Sequence, residues 1–206
     1  MPDSASVFLR FLESRRTHRI YKKTKVSSEC IRKIVKAAVS APSAHNSQPW
    51  KFFLLETPKT RLRLVNRMIS AWKKTMEADE RQHELIIDTV NKFRRRFLAS
   101  PVLILCCVDH RSLYYDRYRD DSRRGFERIL GHHSLAAAVQ NMLIGAHALG
   151  AAACWYSAPL FCQEAVREAL NLGSWLEPCV LLTIGYPKNP PVRKKIRPLS
   201  EVFSKL

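Results

Sequence analysis

Acidic side chains are scarce in this sequence: 18 Asp and Glu stand against 35 Lys and Arg in 206 residues, a formal net charge of +17. Such a surplus attracts polyanions and points to an anionic ligand without naming one. No two of the six cysteines (Cys30, Cys106, Cys107, Cys154, Cys162, Cys179) form a C-x-x-C pair, which argues against a structural zinc. Most sit in apolar runs where a thiol packs as a small hydrophobe, so a reducing compartment, the cytoplasm, is expected. An uninterrupted membrane-length run is missing too. The longest apolar stretch, LAAAVQNMLIGAHALGAAACW, is broken by Gln140, Asn141 and His147 and reads as a buried central helix. The start, MPDSASVFLRFLESRR, carries Arg10 and Glu13 in its apolar part and lacks a cleavage site, unlike a signal peptide. No zinc-finger, helix-turn-helix or ribonucleoprotein signature is visible, and the basic residues are dispersed, which argues against nucleic acid as the main partner. Neither a Ser-His-Asp constellation nor a metal triad stands out, and there is no repeat or low-complexity segment.

What remains is an ordinary globular composition, 46% hydrophobic and 26% charged, long enough for one domain over residues 1–206. Helical spacing is expected over 5–16 and again after Ser27 and Ser28, stopping before Pro42. KFFLLE (51–56) reads as a strand, and a helical stretch with breaks runs from Pro58 to about residue 98. PVLILCCV (101–108) suits a strand buried on both faces. Residues 110–128 read as a polar, aromatic loop with a short helix, followed by the apolar helix at 132–149. A strand (152–156), a helix (162–171), a strand (178–185) and a proline-punctuated tail complete the chain. The alternation predicts an α+β fold with helices on both sides of a central sheet.

Three polar clusters interrupt this pattern. In SRRTHRIYKK (14–23), Arg15, Thr17 and Arg19 alternate, which places them on one side of an extended segment. Guanidiniums donate in pairs to phosphate oxygens, so this is a candidate dianion socket; a solvated basic helix end explains the same residues. The loop PSAHNSQPW (42–50) offers Ser43, Asn46 and Gln48 to the edge of a flat heteroaromatic ring, stiffened by Pro42 and Pro49, with Trp50 as its anchor in the core. In RKKIRPL (193–199), Lys195 and Arg197 alternate just before Pro198, and the apolar close LSEVF predicts docking rather than a free tail.

The pieces RRTHR, APSAHNSQPW, AVQNMLIGAHALGAAACW and VLLTIGYP with its K-x-R tail, in this order, resemble the nitroreductase family over nearly the whole chain. The resemblance implies a central, mostly antiparallel sheet flanked by helices and a C-terminal tail docked on the partner subunit. It implies a homodimer with FMN at the interface and NAD(P)H as reductant. Arg15, Thr17, Arg19, Lys195 and Arg197 would hold the FMN phosphate, with Arg16 close by. Pro42, Ser43, Ala44 and Asn46 would reach the flavin from the partner chain, and Ser157 and Ala158 would meet the ring with their backbone. No metal is implied.

A narrower likeness rests on CWYSAPLFCQEAVREALNL and YRDDSRRGFER. These strings resemble the FMN reductase domain of the bifunctional deazaflavin-coenzyme biosynthesis protein, here expected as a stand-alone domain, which saturates a dehydro intermediate. The substrate would then be an anionic small molecule. Tyr118, Arg123 and Arg124 belong to a candidate substrate cover with Tyr114 and Tyr115, aromatics for a planar acceptor and arginines for its anionic tail. A polar surface loop held by Asp116, Asp120 and Asp121 is the competing reading. His45 is a candidate proton donor to the substrate, although a lone loop histidine is more often a spectator. A general quinone or nitroaromatic reductase and a non-catalytic flavin- or nucleic-acid-binding protein stay open as alternatives.

Overall fold

The computed structural model describes residues 3–190 and 196–205. Four strands, β1 (Trp50–Leu54), β2 (Val102–Asp109), β3 (Ala152–Tyr156) and β4 (Leu176–Gly185), form one antiparallel sheet in the order β1-β2-β4-β3. The α+β expectation holds. The two central strands are buried at every residue, as the run VLILCCV predicts. Register is fixed by pairs such as Trp50–Val108, Ile104–Leu182 and Ala153–Ile184.

Six helices cover both faces: α1 (Ser4–Ser14), α2 (Ser28–Val39), α3 (Pro58–Ala78), α4 (His83–Leu98), α5 (Asp121–Ala148) and α6 (Gln163–Leu170). Period-two alternation along β2 divides the core. Val102, Ile104, Cys106 and Val108 pack with Ile34 and Ala38 of α2 and with Leu135, Ala138 and Met142 of α5. Leu103, Leu105 and Cys107 pack with Leu64 and Met68 of α3, Phe93 and Phe97 of α4 and Val166 of α6. Side-chain caps start these helices. Ser27 accepts from the Cys30 amide, Thr57 from Thr60 just ahead of Pro58, and Asp120 from Arg123.

One expectation is corrected. The helix expected at 132 begins at Asp121, so most of the second half of the expected loop is helix. Its first turns look like a loop because they are exposed and polar, yet Asp120 caps them and buried Glu127 and Gly131 face inward. Gly131 lets α5 approach β2: a Cβ there would meet Leu113 at 3.0 Å and Val108 at 3.3 Å. On the single chain the tail leaves Ile196, Leu199 and Phe203 80%, 73% and 62% exposed, which neither meets nor overturns the expectation of docking on a partner. Among the described residues no helix is long and apolar enough to cross a membrane.

Candidate functional site

The loop before β1 is built under strain. His45, Asn46 and Gln48 all take left-handed backbone, with φ of +55°, +53° and +47°. Each such non-glycine residue costs on the order of 1 kcal/mol, less for Asn. Local bonds hold the shape. The Ser43 hydroxyl accepts from the Gln48 amide at 3.1 Å, and the Ala44 amide donates to Ser134 Oγ of α5 at 3.1 Å. Gln48 Nε2 donates to Asn46 Oδ1 at 3.3 Å, which leaves the Asn46 amide nitrogen for a ligand. Pro42, His45 and Asn46 are exposed, Ser43 and Ala44 half-buried, and the Ser47 hydroxyl is buried with no protein partner. Trp50 packs half-buried against the α2–α5 core, as expected.

At the far edge of the sheet, the segment after α1 lies along β3. Thr17 bridges Ala153 in parallel, and the Lys22 amide donates to Tyr186 O at 2.8 Å. Tyr21 seats the segment. Its hydroxyl lies 2.6 Å from His18 O and 2.8 Å from Thr183 Oγ1, and its ring occupies the space a Cβ on Gly185 would need. Burial pushes this phenol well above its ordinary pKa.

The structure does not gather Arg15, Thr17 and Arg19 in one socket, contrary to the alternation argument. Arg15 and Arg16 line a cavity of about 490 Å³ with His18, Lys22 and His147, over a floor that includes Leu143 and Ala153. Arg19 lines a second cavity, of about 360 Å³, with Tyr21, Lys92, Arg95 and Arg96. The bridge to β3 fixes the segment between the two openings, so its cations are spread along it. Lys92, Arg95 and Arg96 were missed as site residues, although i, i+3, i+4 spacing on a helix was the signal. Among the described residues none of Arg15, Arg16, Arg19, Arg95 and Arg96 has a carboxylate partner within salt-bridge distance, whereas Lys92 pairs with Asp88. Burial, then nearby Arg15, lowers the His147 pKa, and burial, then His147, lowers that of His18. Arg197 is exposed, and Lys195 lies outside the described residues.

Ser157 and Ala158 follow β3 as expected, at a turn where Trp155 Nε1 donates to Ser157 Oγ at 2.8 Å. The candidate cover lies beside the strained loop instead. His45 meets the Tyr114 ring edge-on at 5.7 Å, and the Arg117 guanidinium sits 3.9 Å over the same ring. Arg123 and Arg124 pair locally with Asp120 and Asp121 at the start of α5, so the competing reading fits those two better. Arg123 also lies 5.8 Å over Tyr118.

Glu177 of β4 anchors a polar hub that the sequence reading did not include. Only 3% exposed, it accepts from His110 at 2.8 Å, Gln163 at 2.9 Å and a two-pronged Arg128, with His132 Nε2 at 3.3 Å. Burial alone would raise its pKa, and the bonds from His110, His132, Arg128 and Gln163 together hold it well below the usual carboxylate range. Cys179 Sγ lies 3.8 Å from His132 Nδ1, which imitates a Cys-His-Glu triad. Burial, then the Glu177 charge, pushes the thiol up to about 12, which argues against a nucleophilic thiolate. The same three side chains cluster within 4.8 Å, but Arg128 already occupies the carboxylate and would repel a cation.

The sheet order sets the larger geometry. The loop 42–49 leads into β1 and the segment 15–21 flanks β3, and these two edge strands lie three strand spacings apart, about 14 Å. One chain therefore carries the two clusters at opposite edges of its sheet. The fold matches that of a nitroreductase from Desulfovibrio desulfuricans solved with FMN, at TM-score 0.72 and 23% identity, covering 100% of this chain and 98% of that one. It also matches the NADPH:FMN oxidoreductase of Vibrio harveyi solved with NAD⁺, at TM-score 0.72 and 14% identity, covering 96% of this chain and 76% of that one. In sequence, an Archaeoglobus fulgidus protein that carries the name NADH dehydrogenase/NAD(P)H nitroreductase is 29% identical over 186 residues, 88% of this chain and 86% of the relative. The profile of the nitroreductase family spans residues 12–186, which takes in the β3-edge segment, the strained loop and the whole sheet, and the chain belongs to that family.

Proposed function

We propose that this protein is an FMN-dependent oxidoreductase that works as a homodimer, each flavin lying between the β3 edge of one chain and the strained loop of its partner. One observation supports the reading: the two clusters sit at opposite sheet edges, and a two-fold axis would pair each with the other's complement. The residues fit the cofactor. Five guanidiniums without carboxylate partners along and beside Arg15–Arg19 suit the phosphate dianion and the electron-rich ring edge. The extended segment from Arg15 to Arg19 spans about 13 Å, so it contacts an elongated ligand along its length. When bound, FMN supplies hydride transfer from NAD(P)H to a planar or conjugated acceptor.

From the partner chain, Asn46 presents its amide donor to the ring, while Pro42, Ser43 and Ala44 supply a stiff wall. Ser157 and Ala158 approach from the first chain, and Lys195 and Arg197 of the tail complete the phosphate end. The apolar tail residues exposed on a single chain dock on the partner. The narrower sequence likeness names the dehydro intermediate of the deazaflavin coenzyme as acceptor, whereas the relatives above carry nitroreductase and oxidoreductase names.

The test is direct. Purified protein loaded with FMN should bind one flavin per chain and oxidise NADH or NADPH with a nitroaromatic acceptor. A colourless protein that takes up no added FMN would overturn the reading. Adding the dehydro-deazaflavin precursor in a parallel assay decides between the two acceptors.

A further inference from the structure

We infer that Arg117, held over Tyr114, is the residue that selects acceptors carrying a carboxylate or phosphate. The inference rests on the dimeric flavin site proposed above, and it assigns the substrate class of that site.

The cover contains six arginines, and the structure sorts them. Arg111 is bonded through two nitrogens to Asp109, Arg123 to Asp120, Arg124 to Asp121 and Arg128 to Glu177. Of these six, Arg117 and Arg119 have no carboxylate partner among the described residues. Of the two, Arg117 has a partner of another kind, its guanidinium lying 3.9 Å from the centre of the Tyr114 ring. Such a cation–π contact contributes about 0.5–1 kcal/mol at an exposed site and uses the face of the guanidinium, not its N–H donors.

The platform beneath is rigid. The Tyr114 amide donates to buried Glu127 at 3.0 Å, and the Tyr115 hydroxyl lies 2.7 Å from His110 Nδ1, itself bonded to Glu177. Tyr118 O accepts from Arg124 Nε at 3.2 Å, so the stretch carrying Arg117 is tied at three points. Its location gives it meaning. His45 touches Tyr114 edge-on, so Arg117 lies two contacts from the loop that reaches the partner's flavin. A planar acceptor stacked on that flavin would bring an anionic substituent within reach of the guanidinium. Asp116 next door is exposed and forms no ion pair with Arg117 among the described residues, so the cation is available to a ligand.

The test compares two acceptors alike in shape and unlike in charge, 4-nitrobenzoate and 4-nitrobenzyl alcohol, on the FMN-loaded protein. Arg117→Ala should raise KM for 4-nitrobenzoate about tenfold, with kcat and the neutral alcohol's KM unchanged. Arg117→Lys should recover part of the loss. Tyr114→Leu, which removes the stacking ring, should move KM for the anion in the same direction. Equal changes for both acceptors in Arg117→Ala, or no change for either, would overturn the inference while FMN binding and turnover of the alcohol keep the flavin reading intact. Loss of FMN in wild-type protein would instead strike the flavin reading itself.

Discussion

The Ala44 amide donates to Ser134 Oγ across 90 residues of chain, and Ser134 in turn donates to Leu130 O at 2.7 Å. This is the only bond to α5 that the strained loop's backbone makes among the described residues. Ser134 is 3% exposed, so Ser134→Ala leaves a half-buried amide without its acceptor. Stability should fall by about 1–2 kcal/mol in denaturant titration. If the loop reaches the partner's flavin as proposed, FMN affinity should fall with it, because the loop loses its register. Weakened FMN without any stability change would place Ser134 at the ligand instead of beneath the loop.

The loop's left-handed residues give a prediction of opposite sign. His45→Gly relieves a backbone cost of about 1–2 kcal/mol and adds back part of it as unfolded-state entropy. A net gain of about 0.5–1 kcal/mol is expected in denaturant midpoint, together with weaker FMN binding through a looser loop. A lower midpoint would mean that the His45–Tyr114 contact outweighs the strain.

Much of this was legible in the sequence. The run VLILCCV betrays a strand buried on both faces, and Ser27 with Pro42 brackets α2, because caps and proline act within a turn of themselves. The loop 42–50 stands out because its amides and left-handed residues fall within the four positions from His45 to Gln48. What escaped depends on distance. The Glu177 hub joins residues from 110 to 177, which no local pattern announces. Arg15 and Arg19 alternate in sequence, yet the Thr17–Ala153 bridge places them at separate cavities. The first turns of α5 read as loop because a helix with exposed sides needs only a cap and one buried face, not an apolar stretch.

Glu177 sets an acid limit to stability. Its folded pKa lies below the unfolded value of 4.5, so its contribution is fully present above that pH and is lost as pH falls toward the folded value. Thermal melts from pH 7 to pH 3 should therefore show a decline below about pH 4.5 that Glu177→Gln flattens. The variant should also lose about 3 kcal/mol at pH 7, since Arg128, His110 and Gln163 lose a charged acceptor. An unchanged acid slope in the variant would remove Glu177 as the group responsible.

The proposed shared flavin site has a sharper test, because a two-fold interface would present each half-site twice. Arg19→Glu puts a carboxylate into the cavity formed with Arg95 and Arg96, and should empty the site on its own chain's β3 edge. Asn46→Asp keeps a residue that tolerates left-handed backbone, but turns the free amide donor into a charged acceptor, and should weaken the site on the partner. In a hybrid dimer one site carries both defects and the other carries neither. Random co-refolding of the two variants makes about half the dimers hybrid, so about a quarter of all sites should regain wild-type FMN affinity. The readout is quenching of flavin fluorescence at an FMN concentration that leaves either single variant empty. Hybrid dimers that form, shown by two distinguishable tags, yet recover no flavin would assign Arg19 and Asn46 to the same chain's site or to separate ligands.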